Sequence, residues 1–180
     1  GRYNTRYGFQ SGVLTNRNNW SLPLNETTLP QLLRRAAPSA ACHMGGTWHR
    51  GYHRWEHTPT FRGFDSFVGY YSGDEDYFTH VGDCGGFDLK KEDAPNCGPG
   101  CSQHYWEAQG IYSTHLFTAR AVELIGKHDV ATPLSIDRLW SKRVKPAPLK
   151  STARCHAKAM EKYETLARRR FGGARDSRPR

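Results

Sequence analysis

The chain of 180 residues is long enough for one ordinary domain, and its 37% hydrophobic share, with five Trp, nine Tyr and eight Phe, excludes disorder over the whole length. No run approaches the ~18 apolar residues of a membrane-spanning helix, and the opening GRYNTRYGFQ has no hydrophobic core of a signal peptide. The net charge of +9 is unevenly placed: residues 1–132 carry 12 Lys and Arg against 13 Asp and Glu, a net of −1, whereas residues 133–180 carry 14 against 4, a net of +10. That asymmetry predicts a tail of different character behind a neutral domain, not a domain with a basic face.

In chain order, residues 1–25 read as loop, and the missing initiator Met suggests that the sequence starts inside a longer protein. Thr28 and Pro30 introduce LPQLLRRAA, where Leu29, Leu32, Leu33 and Ala36 recur at helical spacing up to Pro38, so a short helix is expected. From Ala41 to Tyr71 little periodicity is visible, though FDSFVGYY is apolar enough for a buried strand or an inward-facing loop. Gly82 to Cys101, with Gly85, Gly86, Pro95, Gly98, Pro99 and Gly100, is expected to be one long irregular loop. Ser113 to Lys127 gives the best helix, capped by Ser113 or Thr114 and ended by Gly126 with Lys127 and His128. In the tail, Ala153, Ala157, Met160, Tyr163, Ala167 and Phe171 predict an apolar stripe on a basic helix, followed by a disordered GGARDSRPR.

Three groups of residues could carry chemistry. His43, His49, His53 and His57, with Arg50 and Arg54, lie within fifteen positions broken by glycines, a composition that could approach an anion such as sulfate or phosphate and supply a general acid. The plainer alternative is a surface loop with solvated histidines. Asp74-Glu75-Asp76 could meet a hard cation, but consecutive side chains diverge and a solvated turn is the preferred reading. Cys84, Cys97, Cys101 and His104 have the ligand count for zinc without a recognised finger spacing, and a disulfide from Cys84 to Cys97 or Cys101 is preferred. With Cys42 and Cys155 the cysteines number five, so at least one is unpaired within the chain. Asn19-Trp20-Ser21 and Asn25-Glu26-Thr27 are glycosylation sequons, which together with the clustered cysteines favour a secretory compartment.

LPQLL at 29–33, HMGGTWHRG at 43–51, PTFRGFDSFVGY at 59–70, SGDEDYFTH at 72–80 and YSTHLFTARAVELI at 112–125 resemble, in this order, the sulfatase family, most closely its arylsulfatase B-like group. The opening GRY is similar to the tail of the family signature C-x-P-S-R-x-x-L-L-T-G-R-Y. The resemblance covers residues 1–134 and implies an α/β fold: part of an alkaline-phosphatase-like sulfatase domain lacking much of its sheet, with residues 135–180 as an unrelated basic tail. It implies hydrolysis of sulfate esters, on aryl sulfates or sulfated carbohydrates, by a hydrated formylglycine beside Ca²⁺, in a secreted or lysosomal protein.

Residue by residue, the family's G-K-W-H motif falls on Gly46-Thr47-Trp48-His49, so the resemblance makes His49 the catalytic and sulfate-binding residue. Thr47 stands where the family has Lys, and Arg50 could compensate in part. The nucleophile motif and the calcium carboxylates have no counterpart in the sequence, so the chain as given is not expected to be catalytically competent. Similar sulfatases carry a disulfide loop near residues 84–101. They also often carry cysteines where this chain has Ser21 and His57, both missing together, as a lost disulfide would require. The competing reading is a non-catalytic basic protein that meets nucleic acid or an acidic surface through its tail; under the preferred reading, nucleic acid is not the partner.

Overall fold

The computed structural model describes residues 3–11, 14, 17–73, 75–82 and 85–137; the expectations for residues 138–180, and for Asp74 and Cys84, fall outside the described residues. The described part is a sheet between two helices. Five strands, β1 (Ala41–Thr47), β2 (Ser66–Tyr70), β3 (Leu89–Glu92), β4 (Gln103–His104) and β5 (Leu134–Asp137), lie in the order β4-β3-β2-β1-β5. β1 pairs in parallel with both β2 and β5, while β3 runs antiparallel to β2 and β4 antiparallel to β3.

Alternation along β1 and β2 divides the core into two layers. Cys42, Met44 and Phe67 face one way and pack with Trp48, Phe64 and Tyr71, with Leu33 of α1 (Leu29–Ala36) against them. Val68, Tyr70 and Leu89 face the other way and pack on Phe117 of α2 (Ser113–Lys127). The sheet is close-set at its middle: Gly69 pairs with Gly46, and a Cβ on Gly69 would lie 1.8 Å from the Gly46 carbonyl oxygen. Cys42 is fully buried, its amide taken by Asp65, and burial pushes its thiol pKa up.

The two helices expected within the described residues form, but for partly different reasons. The Thr28 amide donates to Gln31 Oε1 at 3.0 Å and the Thr28 hydroxyl donates to the Arg62 carbonyl at 2.6 Å, which fixes the start of α1. Leu29 and Leu32 nevertheless stay exposed, so only part of the expected stripe is buried. α2 takes the expected bounds without the expected cap: Tyr112 is the cap residue, and the Ser113 hydroxyl is spent on the Tyr77 carbonyl at 2.9 Å.

The stretch after Ala41, which shows little periodicity, holds β1, because a strand buried on both faces need not alternate. One expectation is corrected here. The glycine-rich stretch Gly82–Cys101 is not wholly irregular, since β3 passes through it. β5 begins at Leu134, where the resemblance ends, and continues to Asp137.

Candidate active site

Parallel pairing brings the carboxyl ends of β1, β2 and β5 to one edge of the sheet, the edge at which α/β folds place ligands. Thr47 is the last residue of β1 there, half-buried, and Trp48 and His49 follow at once. The ladder carries on past the strand: the Trp48 amide donates to the Tyr70 carbonyl at 2.8 Å and the His49 amide to the Tyr71 carbonyl at 3.2 Å. His49 has φ of 50°, the left-handed region, which costs a non-glycine residue ~1–3 kcal/mol and persists only where the surroundings dictate it.

Those surroundings are Leu14 and residues 17–22, which meet the loop that follows β1. The Leu14 amide donates to Nε2 of His49 at 2.9 Å, Ser21 Oγ and His53 Nδ1 share a hydrogen bond of 2.7 Å, the Leu22 amide donates to the Arg50 carbonyl at 2.7 Å, and His57 Nδ1 donates to the Leu22 carbonyl at 3.1 Å. His53 and His57 stack at 4.6 Å, and burial lowers the His57 pKa. The indole of Trp48 is buried below, donating to the Gly51 and His57 carbonyls. Gly51, at φ of 83°, admits this contact because a Cβ would stand 2.2 Å from Ser21 Oγ.

The four histidines therefore do not converge on one anion. His43 turns to the α2 face, bonded through Nδ1 to Ser66 Oγ at 2.8 Å with its pKa lowered by burial, and His53 and His57 tie the loop to the preceding segment. His49 alone of the four stands at the strand's carboxyl end. Arg50 is exposed beside it. Ser21 and His57 are linked indirectly: Ser21 bonds to His53, which stacks on His57, and His57 bonds to the Leu22 carbonyl.

The disulfide joins Cys97 to Cys101, so neither is available to Cys84, and the expected pairing is corrected. A turn between the two brings them together: the Cys101 amide bonds to the Gly98 carbonyl. The same bridge removes two of the four thiol and imidazole ligands that a zinc would need.

Among the described residues no three His, Cys, Asp or Glu side chains gather as a metal shell, and the carboxylates present do not fit the calcium that the resemblance implies. Asp76 accepts hydrogen bonds from the Phe78 and Thr79 amides and the Thr79 hydroxyl, which makes it a turn and lowers its pKa despite partial burial. Asp65 binds Arg34 and the Cys42 amide. Asp88 takes the Ser72 amide at 2.7 Å, and burial pushes its pKa up to about 6. Asn19 and Asn25, the two sequon residues, are exposed.

The Leu14 amide on His49 and the anchoring of Ser72 by Asp88 were not foreseen from the sequence. Both are main-chain contacts with no residue-type signature, though the histidines at 49, 53 and 57 were a visible sign that something had to bind them.

No family model matches the chain. Arylsulfatase J of Mus musculus is 36% identical over 140 residues, covering 74% of this chain and 21% of the relative. Arylsulfatase G of Rattus norvegicus is 45% identical over 73 residues, covering 38% and 13% respectively. The chain thus spans about a fifth or less of the curated relatives it matches. Among solved structures, Ps i-CgsB in complex with k-i-k-neocarrahexaose superposes with a TM-score of 0.56 at 18% identity, covering 93% of this chain and 42% of that one. No helix among the described residues is long and apolar enough to cross a membrane.

Proposed function

The chain belongs to the sulfatase family, and from that premise we propose that it forms the part of an arylsulfatase-type hydrolase that presents His49 to a sulfate ester. The observation that carries this reading is His49 itself: a strained residue in the family's motif register, at the carboxyl end of a parallel strand, held by Leu14. Because Nε2 accepts the Leu14 amide, the proton of the neutral ring resides on Nδ1. Protonation of Nε2 would set two N–H groups against each other, so full general-acid action requires the Leu14 contact to open.

Thr47 offers a hydroxyl where the family has a cation, and Arg50 is the nearest replacement in sequence. The formylglycine nucleophile and calcium ligands belong to parts of the family pattern that this sequence does not contain, so the 180-residue chain should not hydrolyse sulfate esters by itself. The proposed division is a partial sulfatase domain over residues 1–134 and a basic tail over 135–180, although β5 runs past that boundary and residues 135–137 pair with β1. A secretory, lysosomal or extracellular location, with glycans on Asn19 and Asn25, goes with this reading.

The test is made in a parent protein that carries the nucleophile motif. His49→Ala should lower kcat on an aryl sulfate by about 10²-fold or more, and Thr47→Lys should raise activity. A parent indifferent to His49→Ala overturns the register. Calcium-dependent turnover by the isolated chain would show that the nucleophile lies elsewhere.

A further inference from the structure

The same edge of the sheet that carries His49 ends, three strands away, in a group of rings of which His104 and Trp106 are exposed and Phe87 is half-buried. Leu89 at the start of β3 pairs with Tyr70 at the end of β2, and Lys90 pairs with His104 at the end of β4, so these residues all reach the carboxyl edge. Phe87 and Trp106 stack with centroids 4.1 Å apart, and His104 stacks on Trp106 at 5.4 Å. Trp106 is 56% exposed in spite of this support. Lys90 Nζ stands 2.9 Å from His104 Nε2, and burial lowers the pKa of both groups.

An indole backed on one side by a second ring and open to solvent is a rigid apolar surface with low ordering cost, suited to the C–H face of a sugar ring. An ammonium at its border adds a contact for an anionic substituent. We infer that Trp106, Phe87, His104 and Lys90 form a binding subsite for a sulfated oligosaccharide, in which a sugar stacks on Trp106 and a ring sulfate meets Lys90.

Charge density separates this ligand from a nucleic acid, whose bases would also stack on an aromatic face. A strand with a phosphate at every nucleotide needs a basic track. Here Lys91 is paired with Asp93 at 3.3 Å, Glu107 lies exposed beside Trp106, and Lys90, the cation at the rings, has the Asp88 carboxylate near it. A sparsely charged sugar chain fits that arrangement.

At ~4.8 Å per strand, the rings lie ~14 Å from β1, so one small aryl sulfate cannot touch both His49 and Trp106. The inference rests on the sulfate-ester reading of His49 and narrows it: the substrate is an oligosaccharide that spans the edge.

The experiment is calorimetric titration of the full chain with a sulfated galactan hexasaccharide and with its desulfated counterpart, in about 0.3 M salt to screen attraction to the basic residues 135–180. The expected results are that Trp106→Ala weakens both sugars by about tenfold or more, that Trp106→Phe stays within about threefold of the parent, and that Lys90→Met weakens only the sulfated form. Thermal melting of each variant separates lost binding from lost fold. No measurable binding by the parent chain, unchanged binding by a folded Trp106→Ala, or equal competition by a single-stranded oligonucleotide overturns the subsite. His49→Ala separates the two claims. If it leaves affinity unchanged while Trp106→Ala lowers it, the subsite stands and the role of His49 in binding fails; the reverse pattern removes the subsite alone.

Discussion

The two ends of the sheet solve the same problem, attachment of an irregular segment to a strand, with different chemistry. At the β1 end Leu14, Ser21 and Leu22 are held by single hydrogen bonds to His49, Arg50, His53 and His57. At the β3 end the attachment point is a buried carboxylate. Glu92 receives hydrogen bonds from the hydroxyls of Thr60 (2.8 Å), Ser102 (2.9 Å) and Tyr71, and Thr60 Oγ1 also accepts the Cys97 amide at 3.2 Å. The Cys97–Cys101 bridge only closes a local turn; the carboxylate ties that turn to the sheet. The contrast teaches that the covalent bond is not what fixes its own loop, and that the end expected to act on substrate is the more lightly held of the two.

The comparison can be broken most severely at the seam between the ends. Gly69→Ala should destabilise the fold by about 3 kcal/mol, because its Cβ meets main chain that cannot move without parting β1 from β2. Chemical denaturation would measure this, and a loss below about 1 kcal/mol would mean that the strands are free to separate locally.

A covalent tie at the light end should equalise the two. The double variant Ser21→Cys, His57→Cys is expected to cross-link under oxidation and to raise stability by about 2–4 kcal/mol. If no disulfide forms, residues 17–22 do not meet the loop in the way described.

Glu92→Ala attacks the other end and should cost about 2 kcal/mol, since three hydroxyls lose their acceptor. Its pKa is raised by burial, so Glu92→Gln, which keeps an acceptor without the charge, should cost less.

The smallest effect is a pH dependence. Asp88 has its folded-state pKa raised to about 6 from 3.8, so the folded state holds the proton more tightly than the unfolded state and stability declines as pH rises from about 4 to about 6. Asp88→Asn removes that decline. The stability of the variant relative to the parent should therefore increase over this interval, a difference that cancels the opposing contribution of the histidines whose pKa values are lowered. A flat difference would show that Asp88 is not buried as described.

Legibility in the sequence followed the range of the interactions. α2 was readable because its spacing is local, and β2 because Phe67, Val68 and Tyr70 are apolar in a row. β1 escaped because Cys42, His43, Gly45 and Gly46 carry no strand signature, and their conformation is set by pairing with β2 and β5. At the candidate site the motif register found His49 and its neighbours, whereas the Leu14 contact joins residues 35 positions apart in the chain. The cysteine pairing was misjudged because spacing alone does not tell a tight turn from a longer closure.

Cys42 gives the molecule an internal clock. Its thiol sits on β1 with no solvent exposure, raised in pKa, on a strand flanked by β2 and β5. An alkylating reagent can reach that sulfur only during moments when the parallel strands come apart, so the rate at which residue 42 is labelled, located by peptide mass, counts those openings one by one.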